Sequence, residues 1–271
     1  MAIPKEAKRI TTQVIAEMKQ QGEKISMLTA YDFTTAGILD EAGVDMILVG
    51  DSAANVFAGY ETTLPITLDQ MIYHAASVVR AVKHAMVIVD LPFGSYQGSP
   101  DEALKAAVRV MKETYAHGIK LEGGVEVKEA IQKIVTAGIP VVGHLGLTPQ
   151  SINQFGTFGV RATSEAEAHI LKQNIQVLQD IGCFAVVLEK IPTKLATEIC
   201  NHSRIPVIGI GAGSNCDGQV LVINDMLGLT KGFKPKFLRQ YLNLYEEIRG
   251  AAQQYVIDVK ENTFPNENEQ Y

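Results

Sequence analysis

Short apolar runs recur along this chain, and several of them stop at an acid. Met46-Ile47-Leu48-Val49 runs into Gly50-Asp51-Ser52, Met86-Val87-Ile88-Val89 ends in Asp90, Ile119-Lys120-Leu121 ends in Glu122, and Phe184 to Leu188 ends in Glu189. Runs of this length, β-branched in part and not alternating with polar residues, suit parallel strands covered on both faces. A turn and a stretch of helical spacing follow each one. The acids therefore collect at one end of one sheet.

Taken in order, Val14, Ile15 and Met18 recur at helical spacing over Thr12 to Gln20, and Gly22 ends that helix, which is expected to plug the closed end of the domain. Ile25 to Thr29 reads as the first strand and Thr34 to Ala42 as a helix stopped by Gly43. Residues 53–65 read as loop. Thr67 and Gln70 form a capping box for a helix through Val82. Ser99-Pro100-Asp101-Glu102 is the clearest helix start, with a serine cap, proline at the first helical position and an acid three residues after the cap.

That helix should run to about Ala116. Glu126 to Ala137 is the next, and Pro140-Val141-Val142 begins a fifth strand. Residues 143–163 carry glycine, proline and little periodicity, the mark of a functional or mobile loop. Ser164 and Glu167 start a helix to Asp180. A short helix covers Lys194 to Cys200, Pro206 to Ile210 is the seventh strand, and Val220 to Ile223 is a weaker eighth.

Strands alternating with helices imply right-handed parallel crossovers, and eight of them fit a closed (β/α)8 TIM barrel better than an open doubly wound sheet. Pro235 to about Val259 reads as an amphipathic helix through Phe237, Leu238, Tyr241, Leu242 and Tyr245. The expected organisation is a single catalytic domain over residues 1–260 and a polar tail over 261–271.

Composition narrows the chemistry. A net charge of −6 with no dense Lys/Arg block excludes nucleic acid and an anionic membrane surface as partners. Small-molecule chemistry is what remains. Cys183, Cys200 and Cys216 form no CxxC pair and are odd in number, so a reducing, cytoplasmic compartment is expected. Met1 to Gln21 is charged without a long apolar stretch, and nowhere do eighteen apolar residues run together. Neither a secretion signal nor a membrane span is expected.

In such a barrel the catalytic groups stand at the carboxyl ends of the strands, where Asp51, Asp90, Glu122 and Glu189 fall. Any one of these acids alone could equally be a helix cap; four together point to a site. Period-two geometry puts Lys120 on the same side of its strand as Glu122. Two like charges about 4 Å apart repel by roughly 4 kcal/mol at an effective dielectric near 20, so either some acids protonate or a cation binds. Oxygen ligands favour Mg²⁺ over Zn²⁺. Strands two, three and four are neighbours, so Asp51, Asp90 and Glu122 can surround one ion, while Glu189 across the barrel is better placed for proton transfer. His144 either contacts substrate or holds the following loop by a hydrogen bond.

Thr29-Ala30-Tyr31-Asp32, Gly50-Asp51-Ser52, Thr63-Leu64-Pro65, Asp90-Leu91-Pro92-Phe93, Lys120-Leu121-Glu122-Gly123-Gly124, Gly143-His144-Leu145-Gly146-Leu147-Thr148-Pro149-Gln150 and Ile208-Gly209-Ile210-Gly211-Ala212-Gly213 occur in this order. Together they resemble the ketopantoate (3-methyl-2-oxobutanoate) hydroxymethyltransferase family from Ile25 to about Tyr255. The resemblance implies a (β/α)8 enzyme of pantothenate and coenzyme A biosynthesis. It would move a one-carbon unit from 5,10-methylenetetrahydrofolate to 3-methyl-2-oxobutanoate, giving 2-dehydropantoate.

It further implies Asp51 and Asp90 as the main Mg²⁺ ligands, with Glu122 completing the metal site directly or through water. Ser52 and Lys120, beside Asp51 and Asp90, would hold the keto acid, Glu189 would accept the proton, and the chain would form a large homo-oligomer, commonly a decamer. A Mg²⁺-dependent carbon-carbon lyase or phosphonomutase of the isocitrate lyase type is the alternative enzyme. A catalytically silent barrel serving as a scaffold is the alternative outside enzymes.

Overall fold

The computed structural model describes residues 9–232 and 234–271. The first eight residues of the charged N-terminal stretch lie outside them. By compactness the chain divides into two units, Met1–Val222 and Ile223–Tyr271.

In the first unit, β1 (Ile25–Thr29), β2 (Met46–Val49), β3 (Met86–Asp90), β4 (Gly118–Glu122), β5 (Val141–Gly146), β6 (Ala185–Glu189), β7 (Val207–Ile210) and β8 (Gly218–Leu221) pair in chain order, and β8 returns to β1. All eight pairings are parallel, which closes the expected TIM barrel. The helices of this unit are α1 (Thr12–Gln21), α2 (Phe33–Glu41), α3 (Ala53–Val56), α4 (Leu68–Ala81), α5 (Pro100–Thr114), α6 (Lys128–Thr136), α7 (Ile152–Phe155), α8 (Glu165–Asp180) and α9 (Thr193–His202).

The caps foreseen in the sequence form. Thr67 and Gln70 bond reciprocally, and the hydroxyls of Ser99 and Ser164 each accept from the backbone N–H three residues on, at 3.2 Å in both cases. Such a cap is worth about 1 kcal/mol.

Alternate strand residues fill the barrel. Met27, Met46, Met86, Ile88, Val142, Ala185, Val187, Ile208 and Val220 form one cluster with Ile15 and Met18 of α1, so the N-terminal helix is the plug. Burying each such apolar side chain is worth about 1.5–3 kcal/mol. The same period of two then carries ionisable groups into the interior row: Met86 and Ile88 lead to Asp90, Val142 to His144, and Ala185 and Val187 to Glu189. On β4 the row is Gly118, Lys120 and Glu122. Gly118 has no side chain because a Cβ there would lie 2.8 Å from the Pro140 carbonyl oxygen.

Several elements differ from the sequence reading. The stretch 53–65, read as loop, opens with α3, whose turn is closed by the Val56 and Phe57 N–H groups donating to the Ser52 and Ala53 carbonyls. β5 continues through Gly146, so His144 lies within the strand; its backbone is paired on both sides, with β4 and with β6, and this outweighs the glycine content. The stretch after it folds into a 3₁₀ turn at Pro149–Ser151 and then α7. The eighth strand begins at Gly218, whose bare Cα is required by the Ile25 carbonyl oxygen, 2.5 Å from where a Cβ would stand.

The second unit contains α10 (Ile223–Met226) and α11 (Leu244–Lys260). The amphipathic helix expected from Pro235 therefore starts at Leu244. The backbone N–H groups of Tyr241 and Leu244 donate to the carbonyls of Met226 and Leu227, which holds 235–243 out of helix. The polar tail carries a short 3₁₀ turn, Glu267–Glu269, capped by Asn266.

Candidate active site

The parallel register sets the site. Asp90 pairs with Lys120 across β3 and β4, Glu122 with His144 across β4 and β5, and Gly146 with Glu189 across β5 and β6. Lys120 Nζ lies 3.0 Å from Asp90 Oδ1 and 3.2 Å from His144 Nδ1. His144 Nδ1 is also 3.4 Å from Glu122 Oε1, and its Nε2 is 3.3 Å from Glu189 Oε2. The imidazole thus lies between side chains of β4 and β6, its Nε2 within ion-pair distance of Glu189 but without a well-directed hydrogen bond.

Asp51 enters from the turn after β2, where its backbone N–H donates to Asp90 Oδ2 at 3.1 Å. A Cβ at Gly50 would crowd the Ser52 hydroxyl at 2.7 Å, so the glycine leaves room for Ser52 in this turn. Gly146, at φ 93°, serves the neighbouring strand ends: a Cβ would fall 2.3 Å from the Glu189 carbonyl oxygen.

Asp51, Asp90, Lys120, Glu122 and His144 are all buried, at 3–6% exposure. Burial, followed by the charges of Asp90 and Glu122, pushes the Asp51 carboxyl from 3.8 up to about 8. Burial also raises Asp90, against the opposing pull of Lys120. For Lys120, burial favours the neutral amine, but Asp90, Glu122 and Asp51 outweigh it and hold the ammonium above its ordinary value. Burial and Lys120 oppose protonation of His144, whereas Glu122 and Glu189 favour it, and the balance lies above the usual imidazole value. Three buried carboxylates sharing one lysine are short of positive charge.

Two residues without a sequence signal complete the frame. Gln150 Nε2 donates to Asp51 Oδ2 at 2.8 Å and to the Leu91 carbonyl at 3.0 Å, while its backbone N–H donates to Glu122 Oε2 at 2.9 Å. The Tyr96 hydroxyl is 2.7 Å from Gln150 Oε1 and accepts from the Glu122 N–H at 3.1 Å. Tyr96 falls in a loop with no pattern of its own, and Gln150 shows only as the last residue of the stretch beginning at Gly143.

Of the residues singled out from sequence, Asp51, Asp90, Lys120 and Glu122 form one buried cluster, and Glu189 joins it through His144. Ser52 stands beside the cluster, its hydroxyl 2.7 Å from that of Tyr31.

Among the described residues, no group of three or more His, Cys, Asp or Glu side chains is arranged to hold a metal ion alone. Asp90 Oδ1 is nevertheless a buried carboxylate oxygen without a well-directed hydrogen bond, despite the nearby ammonium. Glu122 has both oxygens in use. This donor set fits a hard cation that takes one or two carboxylates and fills its remaining positions with water or substrate oxygens, the habit of Mg²⁺.

Comparison with known proteins bears on the chemistry. The family described as ketopantoate hydroxymethyltransferase matches residues 9–267. The 3-methyl-2-oxobutanoate hydroxymethyltransferase of Flavobacterium johnsoniae is 66% identical over 267 residues, covering 98% of each chain. The enzyme of the same name from Porphyromonas gingivalis is 63% identical, over 99% of this chain and 98% of its own.

Among solved structures, phosphonopyruvate hydrolase in complex with oxalate and Mg²⁺ is similar at a TM-score of 0.62 and 9% identity, covering 95% of this chain and 92% of its own. A 2,3-dimethylmalate lyase of the PEP mutase/isocitrate lyase superfamily matches at a TM-score of 0.56 and 14% identity, over 90% of this chain and 98% of its own. These structural likenesses establish a shared fold.

Proposed function

The chain belongs to the ketopantoate hydroxymethyltransferase family, and from that premise we propose that it transfers a hydroxymethyl unit from 5,10-methylenetetrahydrofolate to 3-methyl-2-oxobutanoate, giving 2-dehydropantoate for pantothenate synthesis. The observation that carries this reading is 66% identity to a named enzyme across 98% of both chains. The isocitrate lyase alternative rests only on shared fold at 9–14% identity.

In this reading Asp51 and Asp90 would hold Mg²⁺, with Glu122, whose oxygens lie against the Gln150 N–H and His144, completing the site directly or through water. The bound ion supplies a Lewis acid for the keto acid's oxygens and steadies the enolate. Lys120 adds positive charge at the substrate's anionic oxygens, and Ser52 offers them a hydroxyl.

Glu189 takes the proton from C3. It is the more exposed of the site acids, its side chain 17% exposed against 4% for Asp90 and Glu122, which keeps it reachable from the mouth of the barrel. His144 orients it: the imidazole is held above its usual value by Glu122 and Glu189 against burial and Lys120, and the charged ring turns an N–H toward each of these carboxylates, Nε2 toward Glu189. The enolate carbon then bonds to the folate methylene as one of its two carbon–nitrogen bonds breaks, and the proton taken by Glu189 goes to the freed nitrogen. Water then gives its hydroxyl to that carbon and its proton to the second nitrogen as the remaining carbon–nitrogen bond breaks and tetrahydrofolate leaves.

The cytoplasm is the proposed location, supported by three cysteines that stand as free, buried thiols. Among the described residues no helix is long and apolar enough to cross a membrane.

Glu189→Gln tests the assignment of the base. It keeps shape while removing the proton acceptor, and loss of a general base costs about 10²- to 10⁴-fold in rate. Deuterium exchange at C3 of 3-methyl-2-oxobutanoate, followed with Mg²⁺ and without folate, should fall by that factor while keto acid still binds. Exchange at the wild-type rate would remove Glu189 from this step.

A further inference from the structure

Gln150 touches the ends of three strands from one buried position. Its side-chain amide has two donor hydrogens and two acceptor lone pairs, and all are used. Nε2 donates to Asp51 Oδ2 and to the Leu91 carbonyl just after β3. Oε1 accepts from the Tyr96 hydroxyl at 2.7 Å and from Gln97 Nε2 at 3.1 Å. The backbone N–H of the same residue donates to Glu122 Oε2.

The sense of this network is dictated by backbone groups that can only donate. The Gly94 N–H donates to Gln97 Oε1 at 2.8 Å, so the Gln97 amide turns its NH₂ toward Gln150. The Glu122 N–H donates to the Tyr96 oxygen, and of the two acceptors in reach of the phenol's single hydrogen, Gln150 Oε1 at 2.7 Å is nearer than the Glu122 carbonyl at 3.3 Å. Both neighbours therefore present hydrogens to one end of the Gln150 amide. A flipped amide would set its NH₂ against them and its oxygen against the Leu91 carbonyl, which can only accept. Only one orientation satisfies every partner, and in it one oxygen of Asp51 and one of Glu122 are held by fixed donors.

We propose that Gln150 is a positioning residue which orients the carboxylates of Asp51 and Glu122 before a divalent cation arrives. The Asp51 oxygen opposite the amide is the one left for the ion. Tyr96 and Gln97 act through Gln150 by fixing its amide. This inference rests on the Mg²⁺ reading above. Outer-shell partners of this kind typically contribute about 10- to 100-fold in metal affinity.

The test is Mn²⁺ affinity of the full-length chain, measured from the paramagnetic resonance signal of free Mn²⁺ and needing no turnover. Gln150→Met keeps length and bulk without the amide, and affinity should fall about 10- to 100-fold. Gln150→Leu removes the amide without adding charge, and affinity should fall as far; it decides the matter if the methionine variant does not fold.

A role in packing alone predicts wild-type affinity in Gln150→Met. Affinity within about twofold of wild type in either folded variant, with binding weakened at least tenfold in Asp90→Asn, overturns the role of Gln150 and leaves the cation site standing. A wild-type chain that does not bind Mn²⁺ overturns the cation site and this inference together.

Discussion

Replacing Asp51 by Asn should make the metal-free protein more stable as pH rises, while destroying its response to Mg²⁺. The carboxyl is pushed from 3.8 up to about 8 by burial and by the charges of Asp90 and Glu122. A carboxyl whose value is raised on folding contributes stability that is complete below the unfolded value and is lost as pH climbs toward the folded one. The window is therefore pH 4 to 8.

Each pH unit in that window costs about 1.4 kcal/mol, and some four units accumulate roughly 6 kcal/mol. Asparagine has nearly the same shape, can still accept from Gln150, and does not titrate. Variant and wild type should thus be nearly equal at pH 4. They should diverge by several kcal/mol by pH 8, the variant being the more stable.

Urea denaturation in the presence of a chelator, repeated at each pH unit from 4 to 8, reads the difference directly. Added Mg²⁺ should then raise the wild-type midpoint at pH 8 and leave that of the variant in place, since the ion replaces the proton on Asp51. Parallel pH profiles for the two proteins would refute the claim that a buried Asp51, crowded by like charges, is held for a cation.

Asp90→Asn should weaken Mg²⁺ binding at least tenfold and slow turnover with it, because it removes one of two charged ligands and leaves Lys120 without its closest counter-ion; calorimetry on the folded variant would settle it, and unchanged binding would exclude Asp90 from the metal site. The chain should assemble into a homo-oligomer, since Ile248, Tyr255, Val256, Ile257 and Val259 of α11 are all more than 40% exposed; light scattering that finds a stable monomer at working concentration would contradict this.

Much of the barrel could be read from local pattern because its forces are local or repetitive. Apolar runs too short for helices and too continuous for a half-exposed sheet specify buried parallel strands, and caps such as Thr67, Ser99 and Ser164 act within a single turn of chain. The acids at the ends of β3, β4 and β6 were visible for the same reason: each follows its own strand, and period two decides which way it faces. Weak local signals failed where long-range pairing decides. β5 extends through two glycines because neighbours on both sides bond its backbone, and α11 begins late because carbonyls at Met226 and Leu227 capture the preceding segment.

The site's wiring belongs to the tertiary structure alone. Asp51 and Gln150 are separated by 99 residues, and Tyr96 and Gln150 by 54, yet each pair shares a hydrogen bond. Closing eight strands into a ring fixed those distances. It also fixed the shortage of positive charge, because burial and proximity, which no stretch of sequence carries, determine how hard Asp51 holds its proton.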